Sequence, residues 1–204
     1  MKRRHLILAL TVLAAGSGLS HTMRSAYASP QGSAWPPQGF RLAGQGVMRW
    51  FGLKIYEARL WVTGSGLDAA RFEEARFALE ITYARTLAGR DIARSSHDEM
   101  LRMSLADPSS RERWLAAMTR LFPDVRDTDT LVGINTPGAG VGFLHNGKPI
   151  GAIAEPGFAR AFFAIWLDPR TAKPDLREQL IGAAGPQKKA GASAYEAAAA
   201  SSLD

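Results

Sequence analysis

No cysteine occurs among the 204 residues, so no disulfide supports this chain, and it depends on burying apolar surface. Histidine is scarce. Past residue 28 only His97 and His145 remain, on separate stretches and without an i, i+4 partner, which excludes the common helical metal motif. No G-x-S-x-G run is present to set up a nucleophile elbow. Gly138-Ala139-Gly140 lacks the lysine and the helix of a phosphate loop. No metal or other cofactor is expected. The acid pairs Glu73-Glu74 and Asp98-Glu99 are adjacent in sequence and read as solvated faces.

Charge of one sign is also in short supply. The formal net charge is +6, from 25 Lys and Arg against 19 Asp and Glu. Lys2, Arg3, Arg4 and Arg24 lie in an N-terminal stretch that holds no acid. Setting those four aside leaves 21 bases against 19 acids, a net of +2. With no basic stripe, a nucleic-acid partner is not expected.

The chain starts with a basic stretch, an apolar run over Leu6–Leu19, and Ala26-Tyr27-Ala28 before Ser29. This is the three-part form of a secretory signal, and the run is short for a membrane span. The expected organisation is a signal over 1–28, a flexible leader over 29–39, one domain over 40–182 and a disordered tail over 183–204. The tail has almost no large apolar residues. A periplasmic or secreted location follows, with membrane contact only through the signal. Oligomeric state is left open.

Within the domain the pattern reads strands, two helices, hairpin strands, then helices. Gly44 and Gly46 mark a strand with a bend or a close approach by another group, and Phe51-Gly52 a tight connection. The strand Leu53–Val62 alternates, with Tyr56, Ala58 and Leu60 on one face and Ile55, Glu57, Arg59 and Trp61 on the other. Phe77–Ala84 is a second strand, with Phe77, Leu79, Ile81 and Tyr83 sharing a face.

A helix over about Ala88–Leu105 is expected, with Thr86 as N-cap, then a second capped by Ser110. Thr130–Asn135 and Val141–His145 read as strands. Asn146-Gly147 signals a hairpin turn into Lys148–Ile153. Gly157–Leu167 is apolar nearly all round and so reads as a buried helix. Pro174–Ile181 is a short last helix. This order predicts an α+β domain with an antiparallel sheet.

Arg49, Tyr56 and Tyr83 remain as candidates for chemistry. An arginine and tyrosines on neighbouring strands, framed by apolar side chains, suit a carboxylate or an enolate-like oxygen. The alternative reading makes Arg49 a surface residue and Tyr56 a strand tyrosine with its tip in water.

GQGVMRWFGLKIYEARLWV, LEITYART, RWLAAMTRLFPDV, FLHNGKPIGAI and FARAFFAIWLDPRT together resemble the chalcone isomerase-like family of bacterial exported proteins, over roughly Phe40 to Gly182. The resemblance implies an open-faced β-sandwich, an antiparallel sheet packed by a layer of helices with a ligand cleft between them. Plant chalcone isomerases add a phenolate to an enone within one molecule, with an arginine stabilising the enolate. Their non-catalytic relatives bind fatty acids through an arginine and a tyrosine.

Arg49 follows the G-x-G-V segment as the family arginine does, one residue later because of Met48. Tyr56 lies near the place of the isomerases' threonine. The resemblance thus implies Arg49 and Tyr56 as ligand-binding residues; Tyr83, on the second strand, is a third candidate, and Phe162, Ile165 and Trp166 are expected to help build the apolar wall. Arg49 would be catalytic only in an isomerase. The expectation is a domain holding a small amphipathic or aromatic ligand, such as a fatty acid. The alternatives are an intramolecular lyase acting on an enone and a structural domain whose cleft its own side chains fill.

Overall fold

The computed structural model describes residues 35–64 and 66–182. The expected signal and tail lie outside the described residues, as does the first part of the leader. Six strands, β1 (Phe40–Trp50), β2 (Leu53–Thr63), β3 (Phe77–Tyr83), β4 (Thr130–Thr136), β5 (Gly140–His145) and β6 (Lys148–Ile153), form one sheet in sequence order. All neighbours run antiparallel, so the α+β meander agrees with the sequence pattern. Helices α1 (Gly89–Arg102) and α2 (Pro108–Leu121) lie between β3 and β4, and α3 (Pro156–Leu167) and α4 (Pro174–Ile181) follow β6.

The helices cover one face. Ala58, Leu60 and Val62 of β2 and Phe77, Leu79, Ile81 and Tyr83 of β3 pack in one core with Met100, Trp114, Met118, Phe158, Phe162, Phe163 and Leu180 from the helices. Each fully buried Leu or Phe contributes ~1.5–3 kcal/mol, and this layer supplies the apolar burial that disulfides do not. The opposite face holds a small cluster of Ala78, Val132, Ile134 and Leu144 with Trp35, Phe40 and Trp61 against it. Glu80 on that face is 7% exposed and accepts a 2.8 Å bond from Trp61 Nε1.

Two hairpins turn on residue pairs with positive φ, Phe51 (47°) with Gly52 (78°) and Asn146 (48°) with Gly147 (76°). These turns match the twist of the strands they join. At Gly44 the close approach is real, since a side chain there would run into the Gln179 and Leu180 carbonyls of α4.

Both expected helix caps differ. The Gly89 N–H donates to Asp124 Oδ1 at 2.8 Å, so a distant aspartate takes the role expected of Thr86. Asp107, not Ser110, caps α2 by accepting from the Ser110 N–H at 3.0 Å, with Pro108 in the first turn. Proline suits that position because the first N–H groups have no helical partner.

Candidate functional site

A cavity of about 540 Å³ opens between the sheet and the helices. Leu79, Ile81, Leu131, Gly133 and Phe143 line it from the sheet, and Phe122, Phe162, Ile165 and Trp166 from the helical side. The size lies within the ~300–1,000 Å³ that accommodates a drug-sized molecule, and an apolar lining with few polar groups is the usual form of such a site. Gly133 lets the phenylalanine rings pack closely on the sheet at the cavity wall. A Cβ added at Gly133 would stand 3.4–3.5 Å from the rings of Phe162, Phe163 and Phe143.

Tyr56 and Tyr83 are direct partners across β2 and β3, with ring centroids 6.3 Å apart, and both line the cavity. Their hydroxyls differ. Tyr56 Oη accepts from Trp166 Nε1 at 3.0 Å. Tyr83 Oη has no hydrogen-bond partner among the described residues, although the residue is only 6% exposed. Burial pushes the Tyr56 phenol up to about 12 despite the Trp166 bond, with the Glu99 charge adding to the shift. Burial, then the neighbouring Tyr56, pushes Tyr83 up further. Both remain neutral donors at physiological pH rather than bases.

Arg49 is not with them. Met48 pairs with Tyr56, and the register then shifts so that Arg49 pairs with Lys54. Met48 lines the cavity; Arg49 is exposed, donates to the Gly52 carbonyl at 3.2 Å, and lines a separate polar groove beside α4. The expectation that Arg49 and Tyr56 share a cavity is therefore corrected. Alternation sends residues 48 and 49 to opposite faces, and the hairpin's own carbonyl takes up the guanidinium. No arginine is among the described residues that line the cavity. The same irregularity brings Ile55, expected on the mixed face, into the lining, since a bulge re-aims side chains.

The mouth carries the charges. Asp91, Asp98 and Glu99 of α1 line the cavity with Lys173, which also lines the polar groove. Asp98 and Glu99, read from sequence as a solvated pair, thus stand at the rim. Asp91 has Arg90 at 3.8 Å and Glu99 has Arg102 at 2.8 Å, while Asp98 lies 3.2 Å from the His97 ring nitrogen. The Lys173 amine has no ion-pair partner among the described residues. Sequence reasoning missed Lys173 because a lone lysine before Pro174 carries no motif. Among the described residues no three His, Asp or Glu side chains come together as a metal-holding group.

A family model described as chalcone isomerase-like matches residues 31–182. A solved structure of a fatty-acid binding protein from Arabidopsis thaliana superposes with a TM-score of 0.58 at 15% identity, over 72% of this chain and 90% of that one. At that identity the likeness is one of fold. No curated protein matches the chain.

Proposed function

Because the chain belongs to the chalcone isomerase-like family, we propose that it is an exported binding module whose cavity holds a small amphipathic ligand such as a fatty acid. One observation carries the reading: a roughly 540 Å³ apolar cavity is lined by Tyr83, whose hydroxyl has no hydrogen-bond partner among the described residues and is free to donate into it. A ligand oxygen accepting from Tyr83 there makes a bond strengthened by the apolar surroundings. Phe143, Phe162 and Ile165 then cover the apolar tail. Lys173, with no ion-pair partner among the described residues, supplies the charge that a carboxylate head requires. Arg49 takes no part in this reading. The fatty-acid binding of the Arabidopsis protein that shares the fold supports it, and the signal-like start of the chain supports export.

The test is extraction of the purified protein and mass spectrometry of what is released, followed by titration with a fluorescent long-chain carboxylate. One saturable site per chain is expected, displaced by a plain fatty acid. Ile165→Trp, which fills a partly exposed wall of the cavity, should abolish binding while the far-UV circular dichroism stays unchanged. Probe binding that Ile165→Trp leaves intact would place the probe elsewhere and refute the reading.

A further inference from the structure

Among the described residues six large apolar side chains stay exposed, and four of them, Val47 (37%), Trp50 (62%), Phe51 (89%) and Leu53 (53%), belong to the end of the β1–β2 hairpin. Scattered exposed apolar residues are ordinary; a run of them at one tip marks an interaction site. Phe51 holds φ at 47°, a conformation that costs a bulky residue free energy and that asparagine or glycine adopts more readily. At 89% exposure Phe51 returns almost no burial for this strain. Among the described residues its ring meets one other aromatic ring, that of Trp50, at 5.5 Å.

The tip is ringed by bases. The Arg49 guanidinium donates to the Gly52 carbonyl in the turn, and Arg85 Nε donates to the Lys54 carbonyl at 3.1 Å. Lys54 itself is 3.4 Å from Glu57, which Arg59 holds more closely at 2.6 Å. Arg49 and Arg85 have no acid partner among the described residues. Asp91, Asp98 and Glu99 also line the cavity; Arg90 stands by Asp91 and Arg102 by Glu99, and Asp98 lies 3.2 Å from the His97 ring. Trp50 joins the two features, since it is part of the tip and also lines the cavity.

We propose that the β1–β2 hairpin end is a membrane-docking tip. Trp50, Phe51 and Leu53 enter the interfacial layer of a bilayer, and Arg49, Lys54 and Arg85 meet anionic headgroups. Tryptophan and phenylalanine favour that layer, and clustered bases bind an anionic leaflet. A protein partner would use the apolar residues equally well, but the ring of bases selects a negatively charged surface. Docked in this way, the tip sets the cavity mouth against the bilayer, where an amphipathic molecule can pass between lipid and protein. Among the described residues no helix is long and apolar enough to cross a membrane; the contact is peripheral. This goes beyond the expectation that only the signal meets the membrane, and it does not depend on what the cavity holds.

The experiment is co-sedimentation of the full chain with vesicles of phosphatidylcholine, with and without phosphatidylglycerol. The parent is compared with F51N/L53S and with R49Q/R85Q. All proteins carry the same N-terminal segment, so differences between them isolate the tip. Phe51→Asn is compatible with the positive φ, and unchanged circular dichroism confirms the fold. Binding to the anionic vesicles should fall by about tenfold or more in F51N/L53S. It should fall roughly fivefold per residue in R49Q/R85Q, with the loss shrinking as salt rises. Three results would each overturn the proposal: equal binding to both vesicle types, binding unchanged in both variants, or a concentration-dependent dimer lost in F51N/L53S without vesicle binding. The assay reads vesicle binding without added ligand, so its failure leaves the cavity reading standing.

Discussion

Removing one oxygen from each of two paired tyrosines should change stability to different extents. Tyr83 Oη has no partner among the described residues and faces a cavity that is open at its mouth. Water can satisfy it there, so no buried-orphan penalty applies. Tyr83→Phe should therefore change the unfolding free energy of the ligand-free protein by less than about 0.5 kcal/mol. Tyr56→Phe deletes the acceptor of the 3.0 Å bond from Trp166 Nε1. That orphans an indole N–H and should lower stability by about 1–2 kcal/mol.

Ligand binding separates them again. If the Tyr83 hydroxyl donates to the ligand head, Tyr83→Phe weakens the long-chain carboxylate by about 1 kcal/mol, or roughly fivefold in Kd. The variant is then about as stable when empty and a poorer binder. Urea unfolding followed by far-UV circular dichroism avoids the Trp166 fluorescence that both substitutions disturb, and calorimetric titration gives the affinity. The reasoning fails if Tyr83→Phe destabilises the protein as much as Tyr56→Phe does. It also fails if Tyr83→Phe leaves the affinity unchanged while Ile165→Trp abolishes binding, since the hydroxyl would then touch no ligand.

Two further outcomes follow from the same contacts. The unfolded chain releases a tyrosine proton near 10.0, whereas folded Tyr56 keeps its own to about 12. The contribution is therefore intact below pH 10 and lost as pH rises through the folded value. Tyr56 alone takes away about 2–3 kcal/mol across that window, and denaturant midpoints measured along it should fall less steeply in Tyr56→Phe. At Gly44 a methyl would run into the Gln179 and Leu180 carbonyls of α4. Neither is a flexible side chain, so Gly44→Ala should cost at least ~2 kcal/mol, lowering the thermal midpoint and speeding amide exchange in α4.

Much of the architecture is legible in the residues because it depends on short-range rules. Alternation in Leu53–Val62 and Phe77–Tyr83 identifies strands and the face they bury. The all-apolar stretch of α3 announces a helix buried on several sides. Asn146-Gly147 can hardly be other than a turn. Gly44 points to a close approach, though not to which element approaches. The resemblance that suggested the family agrees with the match over residues 31–182.

Side-chain partners were less legible. Thr86 is a sound local choice for an N-cap, yet Asp124, 35 positions from Gly89, reaches the helix first. Arg49 lies in the family's glycine-rich segment, but which way it points depends on a single register shift after Met48. Asp98 and Glu99 look like solvated acids until α1 is laid along the mouth of the cavity. Lys173 has no signal at all outside its place beside that mouth.

The sequence by itself determined the elements, the antiparallel order and the buried faces, because periodicity and turn chemistry act over a few residues. Only the tertiary structure decided that Tyr83, rather than Arg49, meets the cavity, and that Trp50 belongs both to the cavity and to an exposed tip. Those outcomes depend on where strands in register and helices packed across them leave space, and no local pattern of residues encodes where a space is left.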